Sequence, residues 1–270
     1  MKERNILLTI EYDGTLFYGW QRQPEVRTVQ GELENVLSKV CGTEIQLNGT
    51  SRTDAGVHAL GQRASFKVKS GIPTDRIRMA VNNMLSGGKQ SRNKCSDVRI
   101  TEVREVPEDF HARFCSKGKK YRYLIRNEEE PDIFERNYSY HVKEPLDLER
   151  MNRAAEYIKG THDFACFQSA GGNPRETTVR TVYSLDVFRK NNGKIAIEIS
   201  GDGFLYNMVR IIAGTLVETG KGKREPEEMK AVIESADRQK AGHTAPPEGL
   251  YLVEVYYDES EAFYNGTEIK

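Results

Sequence analysis

Residues Asn48 to Gln62 read NGTSRTDAGVHALGQ, a run of small residues that carries one carboxylate, Asp54, between Arg52 and His58. Turn chemistry is one reading, because Asp, Ser, Thr and Gly bond their own backbone and an Asx-turn would lead into the next strand. Catalytic chemistry is the other. A serine-hydrolase elbow needs G-x-S-x-G, but Ser51 is followed by Arg52 and Thr53. Asp54 and His58 have the i, i+4 spacing that binds a metal on a helix. Gly56 between them argues against a helix, and no third ligand lies nearby. A nucleophilic carboxylate in a cleft is kept ionised and aimed best by a cation beside it.

One candidate cation is Arg210, set in GDGFLYNMVRIIAGTL among Phe204, Leu205, Met208, Val209, Ile211 and Ile212. A buried, unpaired guanidinium costs several kcal/mol, so it either finds a carboxylate or snorkels to a rim. Asp54 is one partner this allows; the residues alone do not choose it. Tyr121 and Tyr123 alternate with Lys120 and Arg122. That pattern suits base stacking beside phosphate contacts, and equally an ordinary strand with one face in the core.

The elements that must position these groups follow from periodicity. NILLTIEY alternates as a strand with Ile6, Leu8 and Ile10 on one face. Thr28 caps a helix carrying Val29, Leu33, Val36, Leu37 and Val40. EIQLN reads as a short strand, a second strand runs through Ala64, Phe66 and Val68, PTDRIRMAVNNML is a helix and VRITEVREV a strand. The second half repeats the order: strand KKYRYLIR, helix LDLERMNRAAEYIKG stopping at Gly160, then a hairpin of TTVRTVYSLDVFRK and KIAIEIS across NNG. Helices FLYNMVRIIAGTLVETG and PEEMKAVIESA and strand GLYLVEVYY complete it. The expected class is α+β, two tandem ferredoxin-like (RRM-like) βαββαβ subdomains, with antiparallel sheets merged around a central RNA-binding cleft. The expected subdomains are 1–110, with the Asp54 loop, and 111–270, with Tyr121, Arg210 and Leu250.

The 270 residues are 37% hydrophobic and 9% aromatic, as in a globular protein, with no apolar run near the roughly 20 residues of a membrane span. A cytoplasmic protein is expected. Cys41, Cys95, Cys115 and Cys166 form no CxxC pair, so free thiols are expected rather than a zinc site or disulfide framework. Forty Lys and Arg against 40 Asp and Glu give a net charge of zero, which by itself argues weakly against nucleic acid. The charge is sorted, however. HARFCSKGKKYRYLIR and SGGKQSRNK contain no acid, while EVREVPED and NEEEPD are acidic. Such patches are either solvated faces or part of an RNA surface.

Several blocks, in order, resemble the tRNA pseudouridine synthase A family: EYDGTLFYGWQRQPEVRTVQGELE, SRTDAGVHA, EDFHARF with KKYRY, GTHDFACF, TVRTV, GDGFLYNMVRIIAG and TAPPEGLYL. The resemblance runs from the first strand to about Tyr257. It implies isomerisation of uridine in RNA with no cofactor and no metal: the glycosidic C–N bond breaks, the base turns and a C–C bond forms. By motif it implies Asp54 as the essential carboxylate, Arg210 as its partner, Tyr121 stacked on the target base and Leu250 as an apolar wall. It also implies Arg52 as an aid to nucleotide displacement, with Gly56 giving room for a ribose; His58 and Lys120 join the expected substrate-binding set. The implied partners are tRNA, at positions 38 to 40 of the anticodon stem-loop, and a second copy of the chain in a homodimer. Two departures stand out: Ser51 where the family has Gly, and the stretch SGGKQSRNKCSD at 86–97. They keep open a paralogue acting on another structured RNA, such as a ribosomal RNA stem-loop. A non-catalytic RNA-binding module is the rival of another class.

Overall fold

The structure, a computed structural model, describes residues 2–87, 95–171 and 177–258. The protein is α+β. Its first elements are β1 (Arg4–Tyr12), α1 (Val29–Cys41), β2 (Asn48–Gly49), β3 (His58–Val68), α2 (Thr74–Leu85) and β4 (Val98–Val106). Then come β5 (Gly118–Asn127), β6 (Tyr140–Val142), α3 (Leu148–Glu156), β7 (Gly160–Asp163), β8 (Val179–Arg189) and β9 (Ile195–Gly201). α4 (Met208–Gly220), α5 (Glu228–Glu234) and β10 (Leu250–Tyr256) follow. Two compact units emerge, one of Met1–Lys117 with Leu252–Lys270 and one of Gly118–Tyr251.

In the first unit β1 lies between β3 and β4, antiparallel to both, and β2 adds a two-residue rung to β3. Thr28 caps α1 by accepting from the Gly31 N–H, and Val29, Leu33, Val36 and Leu37 turn inward, while Val40 is half-buried. Pro73 precedes α2, whose Asn82 amide both donates to the Ile100 carbonyl and accepts from the Ile100 N–H at 2.8 Å. That exchange ties α2 to β4. The expected one-sided alternation of β1 holds only in part, since Leu7 and Asn5 are buried as well. Leu7 packs with Val106, Phe110 and Ala112, and the Asn5 amide donates to the Pro107 and Phe110 carbonyls. The segment after β4 therefore covers the second face of β1.

The expected strand EIQLN shrinks to its last residue plus Gly49. The Ile45 N–H donates to Ser38 Oγ and the Leu47 N–H to Glu34 Oε1, so side chains of α1 take the donors a ladder would use. In the second unit β9 lies between β5 and β8, β7 pairs with β8, and all these pairs are antiparallel. β6 runs parallel to the end of β5. The β8–β9 turn closes with the Lys190 N–H on the Lys194 carbonyl and Gly193 at φ +83°. Asn152 joins α3 to β8 through two bonds with Val187, as Asn82 does for α2. α3 ends at Glu156, short of the expected Gly160 stop, and its final turn tightens into i, i+3 bonds at Tyr157 and Ile158. α4 begins four residues after Phe204, because Asn207 is left-handed at φ +61°. The four cysteines are free thiols, and no group of three metal-ligating side chains occurs among the described residues.

Candidate active site

The stretch carrying Asp54 is a loop between β2 and β3 whose backbone is held from both sides. The Thr50 N–H donates to the Arg63 carbonyl at 2.8 Å, extending the β2–β3 ladder. The Thr50 and Tyr257 hydroxyl oxygens lie 2.9 Å apart and 3.0 and 2.8 Å from the Ala112 carbonyl oxygen, a triangle that their two protons share. Burial pushes the Tyr257 phenol up to about 12, which keeps its proton for donation. The Thr53 hydroxyl meets the Tyr12 hydroxyl at 2.7 Å, and the Thr53 carbonyl accepts from the Trp20 N–H at 3.0 Å. Gly19, at φ +87°, has no room for a side chain: a Cβ would lie 2.6 Å from the Thr53 carbonyl oxygen. The sequence block around YGW is thus the bed on which the loop lies.

Asp54 itself opens a tight turn. The Val57 N–H donates to the Asp54 carbonyl at 3.2 Å, with Gly56 at φ +78° in the third position, where a type II turn needs it. Ser51 and Thr53 point inward, Arg52 is exposed and Asp54 is half-buried. The turn chemistry and the half-exposed carboxylate coexist. His58 is buried at the start of β3 and accepts the Gly14 N–H on Nδ1 at 3.1 Å. Asp13 Oδ1 lies 3.3 Å from the same nitrogen. His58, expected to bind substrate, also anchors the backbone at Gly14.

In the second unit Tyr121, Tyr123 and Ile125 share the inward face of β5. Tyr121 meets the Phe204 ring edge-on, with centroids 5.2 Å apart. Arg210 lies in the first turn of α4. Its Nε–H donates to the Ala245 carbonyl at 2.8 Å and its Nη1–H to Asn207 Oδ1 at 2.9 Å. The Ala245 N–H returns a bond to the Arg210 carbonyl. One residue on, the Pro246 carbonyl accepts from the Tyr123 hydroxyl at 2.7 Å, and Gly249 lies so close that a Cβ would be 2.6 Å from the Tyr123 ring. Leu250 follows, buried at the start of β10. The strap 245–250 therefore gathers Arg210, Tyr123 and Leu250.

Lys120 points away from Tyr121, to the other side of β5, where Glu198 on β9 accepts from both Lys120 and Arg122. Burial raises the Glu198 carboxyl, but these two cations outweigh it and hold it below the ordinary carboxylate range. The acid-free run is paired elsewhere too, Lys117 with Asp258 and Arg126 with Glu128 and Asp132. The basic residues 89, 92 and 94 of the 86–97 stretch lie outside the described residues.

The sequence profile of the tRNA pseudouridine synthase family matches residues 8–115 and 154–258. The chain belongs to this family. Over 254 residues it is 50% identical to the tRNA pseudouridine synthase A of Ruminiclostridium cellulolyticum, covering 94% of this chain and 100% of that one. The corresponding figures are 51% for tRNA pseudouridine synthase A of Acetivibrio thermocellus and 49% for tRNA pseudouridine synthase A 2 of Clostridium perfringens, with the same 94% and 100% coverage. The family match spans both units. Sequence reasoning missed Gln62, Glu198 and Tyr257. For Gln62 a signal existed, since it stands on the inward parity of β3 with Ala64, Phe66 and Val68, where a polar side chain needs a buried partner.

Proposed function

We propose that this chain is a tRNA pseudouridine synthase in which Asp54 is the essential carboxylate. Family membership supports the isomerase activity. The observation that carries the assignment of Asp54 is the loop, whose backbone is bonded on both sides while Asp54 stays half-exposed. A glycosidic carbon that develops positive charge as its C–N bond breaks favours an anion held in place, and a carboxylate also serves as nucleophile. The base then turns and a C–C bond closes, so the product is an isomer and no redox partner is consumed. Tyr121 and Leu250 are assigned to the base, Arg52 to displacement of the nucleotide from its stack, Arg210 to keeping the carboxylate ionised, and Gly56, His58 and Lys120 to substrate binding.

The chain order is read as two tandem ferredoxin-like βαββαβ elements: β1, α1, β2, β3, α2, β4, with strand order β4-β1-β3-β2, and then β5, α3, β8, β9, α4, β10. Uridines 38 to 40 of the anticodon stem-loop are the proposed targets, with the chain acting in the cytoplasm as a homodimer. Tritium release from tRNA transcripts carrying 5-tritiated uridine tests the activity, and pseudouridine mapping of the same transcripts tests the positions. Asp54→Asn should lower release by more than about 1,000-fold, the scale on which deleting a nucleophile acts, while tRNA affinity stays within about threefold, since one rim contact changes little. Turnover by Asp54→Asn at the parent rate overturns the assignment.

A further inference from the structure

The β2–β3 ladder ends in an unusual way. Asn48 pairs with Ser65, Gly49 with Ala64, and the Thr50 N–H reaches the Arg63 carbonyl. The next rung would join Ser51 to the backbone of Gln62. The side chain of Gln62 takes its place. Its Nε2–H donates to the Ser51 carbonyl at 2.7 Å, and its Oε1 accepts the Ser51 N–H at 3.2 Å and the Arg63 N–H at 3.1 Å. Gln62 is fully buried and Ser51 nearly so. The amide orientation is fixed by this pattern, because a flipped group would set its NH₂ against two N–H donors.

A primary amide has one acceptor and one donor at the spacing of a peptide group, so it can mimic one strand rung. It differs from a backbone rung in length. Gln62 meets Ser51 with its side chain rather than its backbone, so the regular ladder stops there, and beyond it Arg52 is exposed and Asp54 half-buried. We propose that Gln62 is a positioning residue for Asp54, acting through the Ser51 peptide three residues away. The inference rests on the assignment of Asp54 above.

The test compares Gln62→Met, Gln62→Glu and Asp54→Asn with the parent, measuring kcat and KM by tritium release and unfolding by circular dichroism. Met has nearly the volume of Gln but neither bond. Gln62→Met should lower kcat by about 10- to 100-fold, since a small misplacement of a reacting group costs up to about 100-fold, with KM for tRNA changed less than about threefold. Gln62→Glu supplies a readout that a purely structural role would not move. A buried carboxyl has a raised pKa. Ionised, it repels the Ser51 carbonyl; protonated, it offers one acceptor and one O–H donor, as the amide does. Its activity relative to the parent at the same pH should therefore climb as pH falls from 8 to 5.5. A flat ratio, or Gln62→Met with kcat within twofold of the parent, overturns the role of Gln62 while an inactive Asp54→Asn leaves the catalytic assignment standing. Parent-like turnover by Asp54→Asn removes both. Should Gln62→Met not fold, the pH ratio of Gln62→Glu decides alone.

Discussion

At the scale of single residues, the geometry of a side chain's donors matters more than its charge. Arg210 uses the fixed fork of the guanidinium: Nε reaches the Ala245 carbonyl and Nη1 reaches Asn207 Oδ1. A lysine has a single nitrogen and cannot serve both while keeping the same direction. Arg210→Lys should retain the fold and the positive charge yet lower kcat by about 10-fold or more, because a hydrogen bond from a charged group is worth roughly 1.5–3 kcal/mol. Single-turnover tritium release, with a thermal melt beside it, checks this. A variant that keeps full kcat would show that charge alone suffices. The type of residue at 54 and 210 was legible in the sequence. The fork was not, since Ala245 offers a backbone carbonyl, and backbone acceptors leave no mark in a sequence.

At the scale of elements, close approach governs how the strap meets α4. Gly214 faces the 242–245 segment, and a Cβ there would lie 1.9 Å from the His243 carbonyl oxygen. The His243 N–H and Nδ1 both bond Glu218 at 3.0 Å, one turn further along the helix. Alanine favours a helix over glycine by about 1 kcal/mol, so propensity alone predicts that Gly214→Ala stabilises. The clash decides otherwise: backbone on backbone cannot yield as a flexible side chain does, so the strap must lift and take Ala245 from Arg210. Gly214→Ala is expected to lower both the melting temperature and kcat, and a raised melting temperature with parent activity would contradict it. Elements such as α1, α2, β4 and the β8–β9 hairpin were readable because caps, turn glycines and one apolar face are local signals. β2 and the start of α4 were misjudged because distant or conformational causes set them. Side chains of α1 take the donors of 45 and 47, and a left-handed Asn207 delays the helix. Gln62 belongs to the same class, as do Asn82 and Asn152, each an amide completing a strand's peptide bonds.

At the scale of the whole molecule, a net charge of zero sits awkwardly with a polyanionic substrate, and the pairing of the basic run deepens the problem. Lys120 and Arg122 would make a phosphate-tracking face on β5, but Glu198 lies across from them and bonds both. Because those cations hold the Glu198 carboxyl below its ordinary range, it remains ionised at neutral pH and well into mild acid and competes with RNA phosphate for Lys120 and Arg122. The affinity of the parent for tRNA should therefore depend only shallowly on salt. Glu198→Gln keeps the shape but removes the competing charge. If this face lies along the RNA, Lys120 and Arg122 are released to phosphates, and each further phosphate neutralised steepens the slope of log K against log salt by roughly 0.7–0.9. The variant should bind tRNA more tightly at low salt, with a slope steeper by about 1.5, and lose that advantage near physiological ionic strength. Filter binding of one tRNA transcript across a potassium chloride series measures it. An unchanged slope would place the RNA elsewhere and leave Glu198 as a cross-strand ion pair whose work is to hold β5 against β9.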